Sequence, residues 1–257
     1  MTSGPAMVRA AQQRVAHVVR PAVAGGSVEV ATLIRVAFLL FVISIPFESV
    51  TPRGADFALS KATGWLFFGS ALLQPRVTFR RPAAPWWCFV LYLLAFSVIG
   101  LVVSGRHQTE FILRLVQQVQ MLVLLWVSSN VLRDAKVARQ TLLAFGTACL
   151  GAALMLRFGI AVSYNKWEGL MRTSFLRENE NVLGVTFAIA ILALIAPFYR
   201  RGGRRPGTYY LVFSAVAGLI LALAIAGTGS RGATIALAVG VMALALFAKG
   251  RRLRLVG

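Results

Sequence analysis

Residues 208–249 read TYYLVFSAVAGLILALAIAGTGSRGATIALAVGVMALALFAK. This tract is too long for a single membrane-spanning helix, because about 20 apolar residues suffice to cross a hydrocarbon core of roughly 30 Å. Glycines and one arginine interrupt the tract at 227–232, which predicts a tight turn between two antiparallel helices. The tract therefore predicts a helical hairpin in a membrane.

Six more apolar stretches of similar length precede this hairpin. Only 14% of the residues are charged and 58% are hydrophobic, whereas a soluble domain usually has about 25% charged residues. We therefore predict an all-α, polytopic transmembrane helix bundle of about eight spanning helices within residues 31–250. The predicted spans lie near 32–48, 57–74, 85–104, 109–130, 137–158, 181–199, 208–228 and 231–249.

The basic residues predict the orientation of this bundle. If the loops alternate from an inner N-terminus, two thirds of the 27 Lys and Arg residues fall on the inner side, and every inner loop has a basic cluster. The positive-inside rule then places the N-terminus in the cytoplasm. Residues 1–30 and 251–257 are expected to be basic cytoplasmic segments, the first partly disordered. The net charge of +19 is explained by these loops, so nucleic acid is not expected as a partner.

The longest outer loop ends in the sequence RTSFLRENEN at 172–181. Asn179 or Asn181 can cap the helix that follows, and a helix N-terminus with free N–H groups can hold an anion. Arg172 and Arg177 would add positive charge to that site. The alternative is that the asparagines act only as caps and that both arginines are solvated.

The hairpin turn contains the sequence SRGA at 230–233. An arginine close to the membrane is costly unless its side chain reaches the interface or meets an anion. The guanidinium of Arg231 matches the geometry of a phosphate, which it can bind through two hydrogen bonds. An interfacial arginine at the hairpin tip is an equally good interpretation.

Two further segments, SIPFE at 44–48 and LSKATG at 59–64, complete a set of motifs. Together with the two arginine segments, they resemble the N-terminal part of the O-antigen ligase family, which includes related Wzy-type polymerases. The resemblance covers roughly residues 32–249. Phe175, Arg177 and Glu180 depart from the family pattern, where a glycine, an aromatic residue and a proline are usual.

The resemblance implies a metal-independent glycosyltransferase of the bacterial inner (plasma) membrane that acts in surface polysaccharide biosynthesis. Such an enzyme moves a glycan from an undecaprenyl-diphosphate donor to a lipid or glycan hydroxyl acceptor on the outer face. Arg172 and Arg231, with Arg177 as a third candidate, would bind the donor diphosphate. No cofactor and no metal are implied.

No catalytic residue is assigned, because neither His17 nor His107 matches the family's base histidine. Since the family has further helices after the SRGA hairpin, we expect this chain to be truncated and inactive alone.

Three other functions remain open at this point. One is a metal-dependent transferase with Glu168, Glu178 or Glu180 as ligands, although glutamates beside arginines make a poor divalent site. The others are a polysaccharide transporter or flippase and a non-catalytic membrane subunit. Ligase and polymerase activity are not distinguished, and neither are the donor glycan and the acceptor.

Overall fold

The computed structural model describes residues 30–47, 59–82, 84–103, 108–160, 162–167, 170–175, 179–199 and 207–253. Its helices are α1 (Thr32–Ser44), α2 (Leu59–Ala71), α3 (Pro75–Thr78), α4 (Ala84–Val103), α5 (Gln108–Val131), α6 (Ala135–Arg157), α7 (Glu180–Ile195), α8 (Thr208–Thr228) and α9 (Arg231–Leu253). Short 3₁₀ turns, Ile45–Phe47 and Ala196–Tyr199, extend α1 and α7. Strands β1 (Val162–Trp167) and β2 (Leu170–Phe175) form an antiparallel hairpin in the segment predicted as a long loop.

A helix occupies each of the eight predicted spans. Four of them are long and apolar enough to cross a membrane, namely α5, α6, α7 with its 3₁₀ turn, and α8. These four indicate a membrane protein. Helices α1, α4 and α9 contain shorter apolar segments.

Helix α2 has only 13 residues, fewer than the predicted span at 57–74. A turn ends it, in which the N–H of Leu73 donates to the carbonyl of Ser70. Pro75 then starts α3, because its fixed φ and missing N–H suit a first helical turn.

Helix α6 joins two packed groups of helices. One group contains the C-terminal half of α6 with α7, α8 and α9, and Phe187 and Leu221 are fully buried in it. The other contains α1, α2 and the last turns of α5 against the start of α6, with Phe67 and Val127 fully buried. Phe145 of α6 packs against both groups.

Helices α7 and α9 run parallel and close together. A Cβ added at Gly184 would lie 2.8 Å from the Cβ of Ala233, and one at Gly240 would lie 2.4 Å from a methyl of Leu192. Residue numbers thus increase in the same direction along both helices. Glycine lets the two backbones approach, which matters in lipid because packing rather than apolar transfer associates helices there.

The bundle has two distinct ends, which we call the basic end and the hairpin end. At the basic end, residues 30–31, 72–82 and 132–134 meet: the N–H of Ala31 donates to Gln74 Oε1 at 3.1 Å, and Arg133 Nη2 donates to the carbonyl of Arg81 at 2.7 Å. The hairpin end contains β1, β2, the start of α7 and the α8–α9 turn. The 23 residues of α6 separate these ends by about 34 Å.

Candidate functional site

The β-hairpin brings Arg172 to the hairpin end of the bundle. Arg172 lies in the middle of β2, where it is paired with Asn165 of β1. The backbone of β2 lies against α7, α8 and α6. The segment that contains Arg172 is therefore held beside the helix that follows it in sequence.

Asn179 caps the N-terminus of α7. Its backbone is extended, with φ −62° and ψ 127°, and its Oδ1 accepts the N–H of Asn181 at 2.9 Å. Of the two asparagines proposed as caps, the first fills this role, and Asn181 is an exposed residue of the first helical turn. Glu180 is the first residue of the helix, where a carboxylate is favoured by the positive end of the helix dipole.

The predicted turn between α8 and α9 is confirmed, and polar side chains hold it. Gly229 has a left-handed backbone, with φ 64°, after the last residue of α8. Ser230 caps α9, since its Oγ accepts the N–H of Ala233 at 3.2 Å. The hydroxyl of Thr228 donates to the carbonyl of Ile225 at 2.7 Å and accepts the N–H of Ser230 at 3.3 Å.

Arg231 follows this cap as the first residue of α9 and is exposed, whereas Thr228 and Ser230 are buried. A cation at this position faces the positive end of its own helix dipole, which is unfavourable without an anion nearby. Among the described residues the only ion pair is Glu110 with Arg114, at 2.7 Å, so no described carboxylate neutralises Arg231.

The α8–α9 turn packs directly on α7. A Cβ added at Gly184 would lie 3.1 Å from both Ser230 Cβ and Thr228 Oγ1. Glu180 and Asn181 lie one turn earlier, on the same side of α7 as Gly184, because residues three or four apart share a helix face. The N-termini of α7 and α9 are therefore neighbours, although about 50 residues separate them in the chain.

Hydrogen-bond donors for an anion meet at the hairpin end, together with one carboxylate, that of Glu180. Two parallel helices direct their N-terminal N–H groups toward the same region, and the exposed guanidinium of Arg231 begins one of them. Such N–H groups and a guanidinium are the donors that proteins use for phosphate. The geometry can thus hold an anion without a metal.

Some predicted residues cannot be located in this way. Arg177, Glu168, Glu178 and His107 lie outside the described residues. Within the described ranges, no three His, Cys, Asp or Glu side chains come close enough together to hold a metal ion.

Gly184, Thr228 and Ser230 were not predicted as parts of the site. Of these, Ser230 carries a recognisable signal, because serine immediately before a helix is a common N-cap. The contact between the turn and Gly184 has no such local signal.

The chain was also compared with known protein families, curated proteins and solved structures, and it matches none of them.

Proposed function

We propose that this protein is an O-antigen ligase-like membrane glycosyltransferase, or the donor-binding part of one. In this proposal a glycan moves from an undecaprenyl-diphosphate donor to a lipid or glycan hydroxyl acceptor at the outer face of the bacterial inner membrane. The protein would serve surface polysaccharide assembly.

One observation carries the proposal. The two arginine segments that resemble the family motifs, although far apart in sequence, both adjoin the start of α7: β2 with Arg172 lies against this helix, and the turn before Arg231 packs at Gly184. This shared contact with α7 supports a common site for the two segments.

The chemistry follows from the charge of the leaving group. As the bond between the sugar and the diphosphate breaks, negative charge develops on the diphosphate oxygens. Fixed N–H groups and guanidinium groups stabilise that charge without reorganising. The acceptor hydroxyl also needs a general base. Neither His17 nor His107 is proposed for this role.

The orientation in the membrane belongs to the same proposal. The helices in all eight predicted spans would cross the membrane, with the basic end in the cytoplasm and the hairpin end outside. The clustering of Arg81, Arg133 and their neighbours at one end supports this orientation, since cytoplasmic loops carry an excess of Lys and Arg.

Donor binding can be tested with the purified 257-residue chain in detergent and a fluorescent undecaprenyl-diphosphate probe. Arg231→Lys and Arg172→Lys should each weaken binding about tenfold or more, because a hydrogen bond to a charged group contributes about 1.5–3 kcal/mol and lysine lacks the planar fork. Arg139→Lys is the matched control, an exposed arginine in α6 near the basic end, and should bind like the unaltered chain.

Unchanged affinity in both lysine variants would contradict bidentate diphosphate binding. Loss of binding on addition of a chelator would favour the metal-dependent alternative. Movement of the labelled lipid across the bilayer of proteoliposomes would favour a flippase. If the chain binds neither donor nor acceptor, the non-catalytic membrane subunit is the favoured function.

A further inference from the structure

A groove of about 770 Å³ opens between α1, α2 and α5, away from the arginine segments. It forms because α2 and α5 are in contact near Gly64 and Leu124 and separate toward the N-terminal end of α5. A Cβ added at Gly64 would lie 3.8 Å from a methyl of Leu124. By contrast, none of residues 108–121 of α5 is buried. Val127 and Val131, on the other side of this contact, are fully buried. The groove is thus the gap left by two diverging helices.

The lining of this groove is partly polar, although α5 is one of the four helices long and apolar enough to cross a membrane. Gln117, Gln118 and Gln120 lie near the middle of α5, and Lys61 and Ser60 face them from the start of α2. Lys61 is exposed, and neither it nor the glutamine side chains have a hydrogen-bond or ion-pair partner among the described residues.

Unpartnered amides are costly in hydrocarbon, because each lost hydrogen bond to water costs on the order of several kcal/mol there. A polar occupant of the groove would give partners to three such amides, which lie within four positions of an apolar helix, and to the lysine. Arg114, one turn before the glutamines, differs in this respect because Glu110 neutralises it at 2.7 Å.

We propose that this groove binds the phosphate headgroup of a membrane lipid. Lys61 supplies the charge, and the glutamine amides donate hydrogen bonds to phosphate or headgroup oxygens. The inference is independent of the glycosyltransferase proposal and needs only that α5 lies in the membrane.

The rest of the lining fits the remainder of such a lipid. Phe41, Phe68 and Met121 form an apolar wall beside the polar residues, so a hydrocarbon chain can follow the headgroup. Trp65, 60% exposed, lies at the same groove and extends this apolar wall. An occupant with one anionic end and one apolar tail therefore matches this surface better than water alone.

The test is native mass spectrometry of the full chain with three lipids: phosphatidylglycerol, undecaprenyl phosphate and zwitterionic phosphatidylcholine. We expect saturable retention of one or both anionic lipids over phosphatidylcholine. Lys61→Ala should lower it about fivefold, equivalent to about 1 kcal/mol per lysine near a lipid surface. Lys61→Arg should restore it, and Lys136→Ala, which removes an exposed lysine at the basic end, should leave it unchanged.

A second variant tests the amides without touching the charge. Replacing Gln117, Gln118 and Gln120 with leucine should reduce retention while thermal stability holds or rises, because unpartnered polar groups leave the apolar helix. Preference between the two anionic lipids identifies whether the phosphate comes from a glycerolipid or a polyprenyl lipid.

Three outcomes would overturn the proposal. One is equal retention of phosphatidylcholine and the anionic lipids, unaffected by Lys61→Ala. Another is unchanged retention in the triple leucine variant. The third is a dimer of the chain that dissociates on Lys61→Ala, which would assign the groove to a second copy.

Discussion

At Gly184, α7 is in close contact with the α8–α9 turn and the start of α9. A Cβ there would lie 2.8 Å from the Cβ of Ala233, a distance that real Cβ atoms essentially never show. Both atoms are fixed to backbone, so no side-chain rotation relieves the overlap. By contrast, the neighbour of Gly240 is the flexible end of Leu192.

We predict that Gly184→Ala destabilises the protein by about 1–3 kcal/mol, because α7 and α9 must separate. This loss should exceed the gain of up to about 1 kcal/mol that alanine brings to a helix. The measurement is thermal unfolding in detergent, followed by circular dichroism.

The matched control is Gly218→Ala in α8. A Cβ at Gly218 meets no heavy atom within 4 Å in the described part of the chain. Only the higher helix propensity of alanine then changes the free energy of unfolding, and this variant should be more stable by about 0.5–1 kcal/mol. Equal effects at both positions would mean that the close contact at Gly184 contributes nothing.

At the scale of elements, the four-residue helix α3 depends on α5 for its position, because so short a helix is not stable by itself. Asn130 of α5 holds it: the side-chain Nδ2 donates to the carbonyl of Thr78 at 2.9 Å and to that of Arg80 at 3.2 Å. Trp126 Nε1 also donates to the Arg80 carbonyl, at 2.7 Å. Asn130 is buried, with 3% of its surface exposed.

We predict that Asn130→Ala destabilises the protein by about 1–3 kcal/mol, since it leaves the buried carbonyl of Thr78 without its donor. Thermal unfolding measures the effect. Ser129→Ala is the control, because the Ser129 hydroxyl bonds only to a carbonyl of its own helix, that of Trp126. Loss of this one bond within a helix, at a half-buried residue, should alter stability by less than about 1 kcal/mol. Equal losses in both variants would contradict the role of Asn130.

At the scale of the whole molecule, the feature that matters is the separation of the basic end from the hairpin end. Arg139 and Arg157 are both exposed and lie near opposite ends of α6. Their separation of 18 residues corresponds to about 27 Å along the helix axis. Cysteines at these two positions can therefore test, from one rigid element, whether α6 spans the membrane.

We predict that Arg157→Cys reacts with a membrane-impermeant maleimide in intact cells, whereas Arg139→Cys reacts only after permeabilisation. The positive-inside rule gives this orientation. The background should carry Cys88→Ala, because Cys88 is exposed while Cys149 is buried. The reverse pattern would invert the proposed topology, and labelling of both sites in intact cells would exclude a spanning α6.

Local signals were sufficient for much of the fold. The positions of the eight helices, the turn near Gly229 and the capping of α7 by an asparagine follow from apolar run length, glycine conformation and side-chain hydrogen bonding to nearby N–H groups. Each of these depends on residues within a few positions of one another. The candidate residues Asn179 and Arg231 could be identified for the same reason.

Contacts between helices were decided by the tertiary structure. Helix α9 contains several small residues, and only the structure shows that Ala233 is fully buried while Ala236 is exposed. Likewise, the local pattern of the outer loop did not indicate a β-hairpin.

The sequence alone thus determined the membrane class, the eight apolar helices, the turn between α8 and α9 and the asparagine cap of α7. The tertiary structure decided that the α8–α9 turn packs at Gly184 and that α2 diverges from α5 to leave Gln117 and Lys61 on one groove. The physical reason is that lipid offers every apolar face nearly the same environment. Helices in lipid therefore associate where their surfaces fit closely. That fit involves residues far apart in the chain.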